Sequence, residues 1–151
     1  MSIPIERLRR ALSVDEPDYA ALARLGSGIV PQLLKLVTSR DSYVAANAAS
    51  LAGMIPGQAS FRVLHSAARS ALPQVRIAAA GALRRTASPQ RANLLAPLLS
   101  DKDKGVRKFA IAAAGRRPVG RVAAELNEIS IGDPEPTLRA MAASALRRTH
   151  G

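Results

Sequence analysis

The stretch Pro73-Gln74-Val75-Arg76-Ile77-Ala78-Ala79-Ala80-Gly81-Ala82-Leu83-Arg84-Arg85 returns downstream. It recurs as Gly105-Val106-Arg107-Lys108-Phe109-Ala110 through Arg117, and again as Pro136-Thr137-Leu138-Arg139 through Arg148. The first apolar residue of each copy (Val44, Val75, Val106, Leu138) recurs at intervals of about 31 residues, the period of a stacked array. In such an array each unit buries its apolar face only against its neighbours, so the chain has no single central core and its length sets its reach.

Within a unit the pattern divides in two. In the copy that holds Val75, apolar residues near i, i+3 and i+7 (Phe61, Val63, Leu64, Ala67, Ala68) predict a helix over about 58–70, and a second follows over about 73–86. Pro31, Pro73, Pro89, Pro118 and Pro136 fall in or just before a first helical turn, where the missing N–H costs nothing. Asp41, Asp103 and Glu135 stand just ahead of the second helices, where a carboxylate caps free N–H groups and meets the positive end of the helix dipole. The arginine pairs Arg84/Arg85, Arg116/Arg117 and Arg147/Arg148 stand at the opposite ends, where the same dipole favours cations.

The N-terminal stretch fits the same scheme, with Ile5, Leu8 and Leu12 on a short helix, Pro17 in the place of Pro73, and Leu25-Gly26 ending a helix as Ala52-Gly53 and Ala114-Gly115 do. The expectation is an all-α chain, one solenoid domain over 1–151 with five helical-hairpin units near 1–26, 27–57, 58–88, 89–117 and 118–151. Helices about 10 Å apart make such a stack roughly 50 Å long. Thirty alanines and only 3% aromatic residues agree with closely packed helices. The last unit runs out after its second helix, at Thr149-His150-Gly151, and an open final repeat there invites a partner, self-association with a second copy or a further domain.

The repeated pattern, an acidic residue, then Val-Arg, small residues over the next two turns and Leu or Ala before Gly or Arg, resembles short HEAT-like repeats. These are known from phycobilisome lyase subunits and many bacterial scaffold proteins. The resemblance is strong over 41–148 and weaker over 1–40. It implies an α-solenoid, and a ladder in which the acidic residue and the Arg after the first Val pair along the stack. Here that maps to Asp41, Asp103 and Glu135 with Arg76, Arg107 and Arg139, interrupted by Ala45 and Leu72.

Several chemistries are missing. With no cysteine there is no disulfide and no thiolate site. The two histidines, His65 and His150, have no second imidazole or carboxylate pair at helical spacing, so no metal site and no cofactor is expected. The serines lack a nucleophile signature and no Gly-rich loop follows a strand, so the chain reads as a non-enzyme. No signal peptide or membrane span stands out, which fits a cytoplasmic protein.

The net charge of +11 is uneven. Residues 1–57 hold six basic and five acidic side chains, whereas residues 58–151 hold 16 basic and six acidic ones. This asymmetry points to an acidic partner, although a coding bias toward Arg on solvated faces produces the same count. The principal reading is a protein-interaction scaffold or adaptor that holds an acidic protein or peptide along the inner wall, with Arg76, Lys108 and Arg139 exposed there. The alternative is nucleic-acid backbone binding along the ridge of Arg84, Arg85, Arg116, Arg117, Arg147 and Arg148. Some HEAT-like bacterial proteins are DNA glycosylases, but Tyr19, Tyr43, Phe61 and Phe109 are thin provision for stacking on bases. A lesser alternative, implied by the lyase resemblance, is a subunit that helps attach or remove a bilin.

Overall fold

The computed structural model describes residues 3–86, 88–116 and 118–148. Ten α-helices follow one another with no strand among the described residues: α1 (Ile5–Ala11), α2 (Tyr19–Ala23), α3 (Val30–Leu36), α4 (Ser42–Ala52), α5 (Ala59–Ala68), α6 (Pro73–Leu83), α7 (Arg91–Leu99), α8 (Lys104–Ala113), α9 (Gly120–Gly132) and α10 (Pro136–Arg147). A 3₁₀ turn, Gly26–Ile29, leads into α3. Odd-numbered helices pack on odd and even on even (α3 on α5, α5 on α7, α7 on α9; α2 on α4, α4 on α6, α6 on α8, α8 on α10). Each odd helix from α3 onward also packs on the even helix that follows it. The result is a two-layer α-solenoid of hairpins, with a first-helix layer and a second-helix layer.

The starts of the second helices are written in the sequence. The Asp41 carboxylate accepts from the N–H groups of Tyr43 (3.0 Å) and Val44 (3.3 Å), and Asp103 accepts from Val106 N–H at 3.0 Å. At α6 and α10 a proline at the first helical position does the work instead, and the preceding Leu72 and Glu135 make no side-chain cap. Capping by Glu135 is therefore corrected: Pro136 already removes one orphan N–H, and the Glu135 carboxylate lies 3.7 Å from Lys104 Nζ.

The core runs continuously along the stack. Leu33, Leu51, Leu64, Leu83, Leu95, Leu99 and Ile111 are almost fully buried, each contributing about 1.5–3 kcal/mol by leaving water. Between them the second helices meet through alanines, among them Ala48, Ala49, Ala79, Ala80 and Ala110. The approach is tightest at Gly53, where a Cβ would lie 2.6 Å from Ala82 Cβ and 2.9 Å from its Cα. The first hairpin is tied on by a polar bridge. Asn47 Oδ1 accepts from the Tyr19 hydroxyl (2.9 Å), and its Nδ2 donates to the carbonyls of Leu12 (2.9 Å) and Val14 (3.3 Å).

Candidate functional site

All second helices run in the same direction through the layer, so their N-terminal ends form one long edge of the stack and their C-terminal ends the other. The arginines behave differently on the two edges.

On the N-terminal edge they are consumed by the fold. Arg76 is only 7% exposed; its Nε and Nη2 donate to the two carboxylate oxygens of Asp101 at 2.8 and 3.0 Å, and its Nη1 donates to the Ser70 carbonyl at 2.8 Å. Arg107 repeats this one unit on, with Asp133 at 2.8 and 3.2 Å and the carbonyls of Asp101 and Lys102 at 3.0 and 3.2 Å. Each aspartate also accepts the N–H two residues later, Asp103 N–H at Asp101 and Glu135 N–H at Asp133, both at 2.9 Å. Burial works to raise both carboxyls. The hydrogen bonds and charge of Arg76 and of Arg107, those two N–H groups, and the nearby charges of Lys102 and Arg139 outweigh it and hold Asp101 and Asp133 below the usual carboxylate range.

Two sequence expectations are thereby corrected. Arg76 does not line an open wall: it is turned between layers and fixed by three hydrogen bonds. The ladder does not use Asp103 and Glu135 as its acids, since the Asp103 carboxylate is occupied in capping α8 and the rungs are taken by Asp101 and Asp133. Arg139 is half-buried on this same edge, and its Nη1 donates to the Asp133 carbonyl at 2.6 Å. Asp101 and Asp133 had a sequence signal that is visible in hindsight. Each lies three residues before the first residue of a second helix, and they share the register of Arg107 and Arg139.

On the C-terminal edge, Arg84, Arg85, Arg116, Arg147 and Arg148 are exposed, and none has a side-chain hydrogen bond or ion pair among the described residues. Arg117 and His150 lie outside the described residues. Arg91, which sequence reasoning did not single out, is the exception at this end: its Nε donates to the Leu83 carbonyl at 2.7 Å, closing the end of α6, and burial lowers its pKa.

Between the edges, the face of the second-helix layer turned away from the first helices is the side expected to be concave. Lys108, on α8, is exposed. Beside it lies a groove of about 730 Å³ walled by Tyr19, Ser50, Met54, Gln74, Ile77, Ala78, Gly81, Ala82, Phe109 and Ala112, with Arg84 and Arg85 on its border and no acidic residue in its lining. Phe109 is 45% exposed, and Tyr43, two helical turns before Ser50 on the same face of α4, is 61% exposed. An opposite groove of about 630 Å³ on the first-helix layer is lined by Leu34, Phe61, Leu94, polar side chains and the exposed His65, with Arg62 its single formal charge.

Among the described residues no group of three or more His, Cys, Asp and Glu side chains is placed to hold a metal ion. No helix among them is long and apolar enough to cross a membrane.

The fold has a solved counterpart. The chain is similar to a subunit in the complex of CpcE and CpcF of phycocyanin lyase from Nostoc sp. PCC7120, at 23% identity and a TM-score of 0.74, over 93% of this chain and 96% of that one. At that identity the likeness is one of fold. No curated protein matches the sequence. A family model for HEAT repeats matches residues 30–114 and, one repeat later, residues 61–147. With the hairpin stack and the Arg–Asp rungs in place, the chain belongs to the HEAT-repeat family.

Proposed function

We propose that the protein is a non-catalytic, cytoplasmic scaffold or adaptor that holds an acidic protein segment against its second-helix wall. One observation carries the reading. The groove on that wall joins the exposed Phe109 and the half-buried Ile77 to a border of arginines that have no partner among the described residues, with no carboxylate in the lining. An amphipathic helix with acidic flanks matches that arrangement, its apolar face in the groove and its carboxylates toward Arg84, Arg85 and Lys108. The solved counterpart is one subunit of a two-protein complex, which supports protein partnering as the use of such a stack.

The test is capture of partners from lysate, with and without nuclease treatment, by the wild-type chain and by the double variant Lys108→Glu, Phe109→Ala. A stoichiometric acidic protein retained by the first and lost by the second is expected. Recovery only of nucleic-acid-associated proteins, lost on nuclease treatment, contradicts the reading and moves the interaction to the arginine ridge. The near full-length match to a phycocyanin lyase subunit favours a second reading, a subunit that attaches or removes a bilin together with a partner. That reading predicts a change in covalently bound bilin when the chain, a second subunit and phycocyanin are combined.

A further inference from the structure

The ladder on the N-terminal edge follows one rule: the arginine of each second helix takes the backbone carbonyl of its own hairpin turn with Nη1 and the aspartate of the next hairpin turn with Nε and Nη2. Arg76 and Arg107 both obey it. Arg139 makes the first half of the contact, Nη1 to the Asp133 carbonyl, and its Nε–Nη2 edge meets no carboxylate among the described residues. The guanidinium is thus already oriented by its own turn, and the vacant edge is the one that binds carboxylates at the other two rungs.

The surroundings repeat the interior as well. Ala143 occupies the register of Ala80 and Ile111, which are 0% and 1% exposed inside the stack, but is itself only half-buried. A second copy docked two-fold against α10 is disfavoured by charge. An antiparallel pairing centred near Ala143 would set Arg139 against Arg147 of the other copy, while of the two acids in the turn before this helix Glu135 is beside Lys104 and Asp133 is paired with Arg107.

We infer that Arg139 is the open rung of the ladder, a carboxylate-docking site that receives an aspartate from the helix-opening turn of an acidic partner protein laid end-on against α10. The partner turn would offer what Asp101 and Asp133 offer, a carboxylate held side-on to Nε and Nη2 in a bidentate, charge-assisted pair. This site lies off the second-helix wall, and the inference does not depend on the groove described above.

The experiment is a titration of the full ¹⁵N-labelled chain with a blocked peptide of the sequence of residues 133–137, followed at the arginine Nε–Hε groups and the backbone amides of α10. The Arg139 Nε–Hε signal and the amides of its turn are expected to saturate at about tenfold lower peptide concentration than Arg84 and Arg85, the margin of one oriented bidentate pair. The same peptide with Asn in place of Asp should lose that advantage, and Arg139→Lys, which keeps the charge without the fork, should abolish the response of the α10 amides while the rest of the spectrum stays folded. The Lys108→Glu, Phe109→Ala variant should titrate like the wild type, which separates this site from the wall. The inference is overturned if Arg139 moves no earlier than Arg84 and Arg85, if the Asn peptide binds equally well, or if Arg139→Lys responds unchanged.

Discussion

The two long edges of the stack use the same residue type for opposite ends. At the N-terminal edge Arg76 and Arg107 are walled in, each meeting a carboxylate and at least one carbonyl. At the C-terminal edge Arg84, Arg85 and Arg116 stand in solvent with no partner among the described residues. Position along the helix decides between them. An arginine in the first turn of a second helix can reach the next hairpin's turn, where aspartates gather at helix N-termini, whereas one past the last turn meets only carbonyl ends and water. A basic count therefore overstates the charge open to a partner.

The strongest way to break this contrast is to open a closed rung. Asp133→Ala should destabilise the fold by about 3 kcal/mol, because the Arg107 guanidinium, nearly buried, would lose its carboxylate partner; urea denaturation measures it, and a loss below about 0.5 kcal/mol would mean the rung is ornamental. Gly53→Ala should come next, at about 1–3 kcal/mol, since its Cβ would press into the Ala82 backbone and force α4 and α6 apart; an unchanged melting temperature would refute that close contact.

Acid sharpens the comparison further. The carboxyls of Asp101 and Asp133 are held below their ordinary value of 3.8, so the stability they contribute is complete above that value and is lost as pH falls through the depressed folded values. Stability should therefore fall below about pH 4, and the Asp101→Asn, Asp133→Asn double variant, weaker at neutral pH, should show a flatter acid limb; an identical limb in both proteins argues against the rungs as its source. The smallest effect belongs to the open edge. Reversing Arg84, Arg85 and Arg116 to Glu should change stability by no more than about 0.5 kcal/mol, as expected for solvated side chains, while reversing the charge presented to a partner.

The architecture was legible in the sequence because a stack repeats its constraints. Val44, Val75, Val106 and Leu138 are all buried at equivalent places in α4, α6, α8 and α10, and the capping roles of Asp41 and Asp103 follow from local chemistry alone. The pairing of the rungs was not legible in the same way. Asp101 and Asp103 look alike in sequence, and only the direction in which the turn aims each carboxylate sends one across to Arg76 and the other back to Val106 N–H. For that reason Arg76 reads as an exposed groove residue when it is a buried strut. Arg91 and Asn47 escaped notice for a related cause: both donate to backbone carbonyls, of Leu83 and of Leu12, and a carbonyl leaves no mark on residue patterns.

The division between closed and open arginines is measured most directly by ¹⁵N relaxation and hydrogen exchange at the arginine Nε–Hε groups of the free protein. Arg76 and Arg107 should show rigid, slowly exchanging Hε protons, and Arg84, Arg85 and Arg116 mobile, rapidly exchanging ones. Protected Hε protons on Arg84, Arg85 and Arg116, or mobile ones on Arg76 and Arg107, would contradict the account.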